Sequence, residues 1–288
     1  MPSEYEPLTP ATLDYARTIL RQAVADHNPV ATFALLSGGH DSLTAAHIAF
    51  NTIPVRAAVH INTTIGIKKT RQFVRDTCAR YGWPLIEKTP PVDYETIVSE
   101  HGFPGPAGHI HMYRRLKERC LRALVREHKQ GNRRVLLVSG ARRQESLVRM
   151  GRVEPVQKEM GSVRVWVAPI VEWTGADKNA YLARHRIPRN EVVDLLCMSG
   201  ECLCGAFAKA GELEYIRKFF PEDAAEIDRI AAKLKAKGLH HSWGVRPGTS
   251  EAEILKMSEQ MQCGRKEIAP PNPIGPCGSC FAKLERDE

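Results

Sequence analysis

Residues 30–36 (VATFALL) form a short, uninterrupted apolar run that passes without a linker into Ser37-Gly38-Gly39-His40-Asp41-Ser42, and residues 43–50 then resume as an Ala-rich helical stretch. A run of this length bounded by turn residues reads as a strand buried on both faces, the kind found in parallel sheets. The same texture recurs along the chain. Strands are expected at 55–61, 85–87, 135–138 and 165–170, and helices at 12–27, 68–81, 111–129 and after Thr174. Strands alternating with helices specify an α/β fold with a doubly wound, mostly parallel sheet, whose ligands bind beyond the carboxyl ends of the strands.

Beyond residue 190 the strand signals stop. Helices are expected at 212–220, 222–237 and 251–262, followed by a Pro-rich connector (APPNPIGP) that feeds Cys277. The expected organisation is therefore an α/β domain over 1–190 and a helical, cysteine-bearing appendage over 191–288. With 288 residues, 43% hydrophobic and 26% charged, the chain can bury a sizeable core. It contains no apolar run near the ~20 residues of a membrane-spanning helix, and its start (MPSEYEPLTP) lacks the basic and apolar regions of a secretory signal. The expectation is a cytoplasmic protein with no membrane partner.

The net charge of +8 is uneven. Residues 111–164 hold 15 Lys+Arg against 5 Asp+Glu, a net of +10, which leaves 26 against 28 for the rest. A basic stretch this concentrated points to an anionic partner, nucleotide phosphates first and a nucleic-acid backbone second. Within it, Arg115, Arg119, Arg122 and Arg126 share a helix face opposite Leu116, Cys120 and Leu124. That stripe reads either as a nucleic-acid contact or as the wet side of an amphipathic helix.

The SGGHDS segment has the ingredients of a phosphate loop. Gly38 and Gly39 let the backbone approach an anion, the following helix offers free N–H groups and a partial positive charge, and Ser37 and Ser42 add hydroxyls. It has neither the Walker A spacing nor G-x-G-x-x-G. A second strand end, Ser139-Gly140, leads to Arg142, Arg143 and Arg149, whose guanidinium groups suit phosphate or sulfate oxygens.

Of the eight cysteines, Cys202-Leu-Cys204 and Cys277-Gly-Ser-Cys280 form a C-x-C…C-x-x-C set, with Cys197 as a possible substitute ligand. Four soft ligands in close pairs suit a structural Zn or an iron–sulfur cluster, and ligand count does not separate the two. Cys78 and Cys120 fall in expected helices and read as core; Cys263 is undecided.

SGGHDS resembles the S-G-G-x-D-S loop of the ATP pyrophosphatase (PP-loop) superfamily. Three further elements resemble its phosphoadenylylsulfate (PAPS) reductase branch: His60-Ile-Asn62-Thr63-Thr64-Ile-Gly66 through Thr70 and Phe73, with Asn62 replacing the usual acid; Gly140-Ala-Arg142-Arg143-Gln-Glu145-Ser146 through Arg149; and Pro169-Ile170 through Trp173, Tyr181, His185, Pro188 and Asn190. The cysteine pattern resembles that of PAPS-reductase-related proteins of DNA phosphorothioation systems, where the cluster is usually 4Fe-4S. The resemblance implies ATP cleavage between the α- and β-phosphates, with Ser37, Gly38, Gly39, Asp41, Ser42, Gly140, Arg142, Arg143 and Arg149 binding the nucleotide. It gives Asp41, Ser42 and Arg142 catalytic roles, with Asp41 orienting the loop or assisting Mg²⁺. It further implies a cluster on Cys202, Cys204, Cys277 and Cys280, a DNA acceptor and a cysteine desulfurase or other sulfur donor. The ending CGSCFAKLERDE lacks the catalytic Glu-Cys-Gly element of sulfonucleotide reductases, and Cys120 stands without the tandem cysteine of their cluster-bearing forms. PAPS or adenylylsulfate reduction is therefore the alternative reading, together with tRNA thiolation; a non-catalytic nucleotide- and DNA-binding module is the third.

Overall fold

The computed structural model describes residues 7–145, 152–208, 211–249 and 253. They divide into two compact units, one drawn from within 1–61, 72–88 and 120–190 and the other from within 62–71, 89–119 and 191–288. The second unit thus takes in two segments from within the first 190 residues besides the C-terminal stretch.

The first unit is built on a six-stranded sheet: β1 (Ala31–Leu35), β2 (Ala57–Ile61), β3 (Leu85–Lys88), β4 (Val135–Val138), β5 (Val156–Lys158) and β6 (Arg164–Val167). Their order is β3-β2-β1-β4-β6-β5. Every pairing is parallel except the edge pair β5–β6. The expected α/β architecture with a mostly parallel, doubly wound sheet is thus present, and the chain order reverses between β1 and β4. The apolar runs explain the strands. Ala34 and Leu36 of β1 and its exit, with Val138 and Val167, face one cluster that includes Leu13, Leu20, Leu43 and Ile48. Ala31, Phe33, Val59 and Leu137 face a second cluster containing Leu124 and Val125. Alternate residues of one strand feed opposite layers, so both faces must be apolar.

Helices α1 (Pro10–His27), α2 (His40–Phe50) and α3 (Lys68–Tyr81) follow the expected periodicity, α1 and α2 starting two and three residues earlier than read. The Thr9 hydroxyl accepts from Thr12 N at 3.2 Å to cap α1, whose first residue is Pro10. In the second unit come α4 (Tyr94–His101) and α5 (His109–Tyr113), which runs through a π turn (Arg114–Glu118) into α6 (Arg119–His128) of the first unit. Then α7 (Gly175–Arg184) opens on a reciprocal capping box between Thr174 and Asp177. The C-terminal helices α8 (Glu191–Leu196), α9 (Glu212–Phe219) and α10 (Pro221–Ala236) bury Val192, Ile216, Ile227 and Leu234 against Ile97, Phe103, Leu116 and Trp243.

Several details differ from the sequence expectation, among them the short α8, whose six residues carry too little periodicity to read. The last strand stops at Val167 rather than residue 170, where Pro169 has no amide to donate. The antiparallel β5 was unread because three residues, two of them exposed and polar, carry no period. Helix α4 was also unread, its eight residues being short and only partly apolar. The single long helix expected at 111–129 starts at His109 and contains the π turn. The helix expected at 251–262 lies outside the described residues apart from Glu253. Cys78 and Cys120 are buried free thiols, as read, and burial pushes both up to about 11. No helix among the described residues is long and apolar enough to cross a membrane.

Candidate phosphate site and cysteine loop

The carboxyl ends of β1 and β4 are adjacent, and each feeds one half of the candidate site. From β1 the chain turns at Gly38, whose φ of 81° is open to glycine at no steric cost. Gly39 then opens α2 with no side chain capping it. The first-turn amides of a helix have no intrahelical acceptors, so this end presents donors and the positive pole of the helix to an anion.

The loop holds itself in shape. Ser37 Oγ lies 3.0 Å from Ser42 Oγ, Ser37 N donates to Ser42 Oγ at 3.2 Å, Gly39 N donates to Ser37 Oγ at 3.3 Å, and Ser42 Oγ donates to Gly39 O at 2.9 Å. Asn190 anchors it from the far end of this unit: its Nδ2 donates to Gly38 O at 2.9 Å and its backbone N to His40 Nε2 at 3.2 Å. His60 Nδ1 lies 2.9 Å from Leu36 O, bracing the strand exit.

From β4 the chain reaches Gly140, which passes directly over the first turn of α2. A Cβ there would stand 2.5 Å from the Asp41 carbonyl carbon and 2.6 Å from Ser42 Cα, so only glycine permits the approach. Two residues on, buried Arg142 pairs with Asp41, Nε to Oδ1 at 2.9 Å and Nη2 to Oδ2 at 3.1 Å. Arg142 Nη1 also donates to Trp173 O at 3.3 Å and to Gln144 Oε1 at 3.4 Å. Lys178, on α7, approaches the same carboxylate at 3.3 Å.

The structure therefore brings Ser37, Gly38, Gly39, Asp41, Ser42, Gly140 and Arg142 together. It does not bring Arg143: that guanidinium pairs with Glu172 and donates to Val153 O at 2.9 Å, because its neighbour Arg142 takes the inward position and the chain turns one residue further. Arg149 lies outside the described residues. Lys178 was missed by sequence reasoning, since a lysine in a helix remote from the loop carries no local signal. Both Asp41 oxygens thus face cationic groups, Arg142 on both and Lys178 on Oδ1.

Cys202 and Cys204 sit in the second unit. Cys204 is held down at about 7, the Cys202 thiol hydrogen-bonded to it being the largest influence, with the Ala206 amide and Lys117 lowering it further. Cys202 is raised well above its ordinary value by its hydrogen bond to Cys204 and by burial. Lys117, carried by the π turn, pairs with Glu201 at 2.5 Å. Burial opposes its charge, and Glu201 and the two cysteines outweigh that and raise its pKa. The two sulfurs, an amide donor and a nearby cation suit thiolate ligation of a soft metal or cluster, and these sulfurs are two of the four candidate ligands read from the sequence. Among the described residues no group of three or more metal-type ligands occurs. Cys277 and Cys280 lie outside the described residues, and Cys197, the possible substitute ligand, directly follows α8.

Fold and loop define an α/β protein with a doubly wound, mostly parallel sheet and a candidate anion site at the point where strand order reverses. Residues 31–202 match the phosphoadenosine phosphosulfate reductase domain, and the chain belongs to that family. Among solved structures it is similar to the PAPS reductase of Candida auris, a phosphate complex (20% identity, TM-score 0.50, 66% of this chain and 93% of that one). It is also similar, at a TM-score of 0.48 and 16% identity, to the NMN synthetase of Francisella tularensis, over 91% of this chain and 98% of that one. An uncharacterized protein of Methanocaldococcus jannaschii, MJ0973, is 24% identical over 186 residues. That stretch spans 65% of this chain and 44% of the relative, so the chain covers less than half of the curated relative's length.

Proposed function

We propose that this chain is an ATP pyrophosphatase that adenylates an acceptor for sulfur transfer, the acceptor being a DNA backbone phosphate in phosphorothioate modification. The observation that carries the reading is the self-braced Ser37–Ser42 loop at the uncapped start of α2, edged by Arg142 and Lys178 on a shared carboxylate. Such an arrangement binds a polyphosphate and neutralises charge that develops on it.

An acceptor oxygen attacks the α-phosphorus of ATP, the bond from that phosphorus to the bridging α–β oxygen breaks, and pyrophosphate leaves with the electron pair. Amides of the α2 first turn and the Ser37 and Ser42 hydroxyls hold the departing phosphates. Arg142, released in part from Asp41, and Lys178 offset the negative charge on them, with Mg²⁺ travelling as the nucleotide's counter-ion. The adenylate converts a poor leaving oxygen into a good one. Sulfur at the sulfide level then attacks the activated centre, the bond to the AMP oxygen breaks, and AMP departs. A cysteine desulfurase with a thiol reductant is the expected donor. An iron–sulfur cluster held by Cys202, Cys204, Cys277 and Cys280 would, when bound, supply a carrier for that sulfide, with Zn as the structural alternative.

The test is release of AMP and pyrophosphate from radiolabelled ATP with Mg²⁺, DNA and a sulfide source. Wild type is expected to turn over and Arg142→Met to lose at least 100-fold in kcat/KM. Equal turnover in the two proteins, or sulfite release from PAPS with a thiol reductant in place of ATP cleavage, would overturn the reading.

A further inference from the structure

Three buried hydroxyls in the second unit have the same task. Thr63 Oγ1 donates to Glu201 O at 2.8 Å, Thr70 Oγ1 to Ser199 O at 2.6 Å, and Tyr94 Oη to Cys204 O at 2.9 Å. Thr63, Thr70 and Tyr94 are each almost completely buried. Between them run two backbone hydrogen bonds, Ile67 N to Gly200 O at 2.8 Å and Leu203 N to Ile65 O at 2.7 Å. Thr64 Oγ1 accepts from Tyr94 N at 2.8 Å, tying the tyrosine to the same segment. Residues 63–70 therefore lie along 199–204 as an irregular ladder, engaging the carbonyls of Ser199, Gly200 and Glu201, while Tyr94 takes that of Cys204.

Gly66 explains how close this pairing is. A Cβ on it would stand 2.9 Å from the Glu201 carbonyl carbon and 3.0 Å from Gly200 O. Gly200 has a φ of 66° and turns the cysteine loop between Ile67 and Val192, where its own Cβ would collide with both side chains. Polar groups buried this deeply are satisfied in only one register, because a shift by one residue would leave several carbonyls without donors.

We propose that Thr63, Thr70 and Tyr94 are positioning residues that pre-form the Cys202–Cys204 loop, so that its two sulfurs are set for a soft metal or cluster before one binds. Their donors take up the carbonyls of Ser199, Glu201 and Cys204, and the Ala206 amide reaches Cys204. Partners behind metal ligands that fix ligand orientation are worth about 10–100-fold in affinity, because an unfixed loop must be ordered at the moment of binding. The metal-binding part of this inference rests on the cysteine reading above; the pre-formed loop does not.

The test uses the full-length chain, stripped of metal and held anaerobically, with Co²⁺ as the probe and the thiolate-to-cobalt absorption band as the readout. Tyr94→Phe and Thr70→Val are each expected to weaken Co²⁺ binding about tenfold, and Thr70→Ser, which retains the hydroxyl, to restore it. In the metal-free chain, amide hydrogen exchange at Ile67 and Leu203 is expected to be protected in wild type and to accelerate at least tenfold in Thr63→Val/Thr70→Val, while amides of β1 and β4 stay unchanged. Absence of the cobalt band in wild type would remove the metal reading and leave the exchange experiment to decide the loop. Unchanged Co²⁺ affinity and unchanged exchange in the variants would overturn the proposal, as would equally fast exchange at both amides in the metal-free wild type.

Discussion

At Asp41 one carboxylate faces Arg142 and Lys178, and the guanidinium is buried. Replacing Asp41 by Ala leaves that guanidinium without its principal partner, so the chain should lose about 2 kcal/mol of stability, less than a fully buried pair would cost because the carboxylate is partly exposed. Urea unfolding measures this, and unchanged stability would mean that the pair contributes nothing in the folded state. His47 makes a second residue-scale case. Burial lowers its pKa from 6.5 to about 4, with His185 adding to the effect, and its Nδ1 lies 2.8 Å from Tyr181 Oη. The unfolded chain therefore takes up a proton that the folded chain refuses, so this contribution is complete above pH 6.5 and is lost as pH falls toward 4. Between pH 7 and 5 the loss should reach about 2 kcal/mol, and His47→Gln should flatten that part of the pH profile in urea unfolding. The loop residues were legible because their types, two glycines and two serines between a strand and a helix, have few other uses. His47 was not, because a histidine in an Ala-rich helix gives no sign of the tyrosine across from it.

The β1–loop–α2 element was readable from local pattern, since each of its parts is specified by neighbours within a few residues. Gly140 was readable as a candidate site residue, but its close approach was not: it is a packing requirement against the first turn of another element. Gly140→Ala should therefore push the β4 exit off α2 and weaken ATP binding at least tenfold, measured by calorimetry, with the circular dichroism spectrum unchanged. Wild-type affinity in that variant would show that the two strand exits need not touch. Arg142 and Arg143 divide the same way. Both types announce anion binding, yet consecutive residues leaving a strand point in different directions, and only Arg142 turns inward while Arg143 meets Glu172. The π turn at Arg114–Glu118 is likewise invisible to a 3.6-residue period, because one inserted residue shifts the register without changing composition.

Across the whole molecule the charge excess follows the chain, with a net of +10 in residues 111–164. Arg119, Arg122 and Arg126 are exposed on α6, whereas Arg115 is half-buried and Arg142 and Arg164 are buried, so only part of the excess faces solvent. If DNA is the acceptor, reversing Arg119 and Arg126 to Glu should weaken duplex binding and reduce the slope of log affinity against log salt by about 0.9 for each phosphate that the variant no longer neutralises. A filter-binding titration at several salt concentrations checks this, and an unchanged slope would exclude the helix from the DNA interface. The division into units shows the same limit on a larger scale. An α/β part and a helical part were legible from periodicity, but residues 62–71 and 89–119, which belong with the C-terminal unit, carry no mark of it in their own sequence. What the sequence alone determined was local: the strands buried on both faces, the glycine loop, the longer helices and the paired cysteines, each set by residues close in the chain. Only the tertiary structure decided which cations reach Asp41, why position 140 must be glycine, and that hydroxyls at 63, 70 and 94 hold the cysteine loop. Those contacts join residues about 100 or more positions apart, and a hydrogen bond across such a distance depends on how elements pack and leaves no period in the chain.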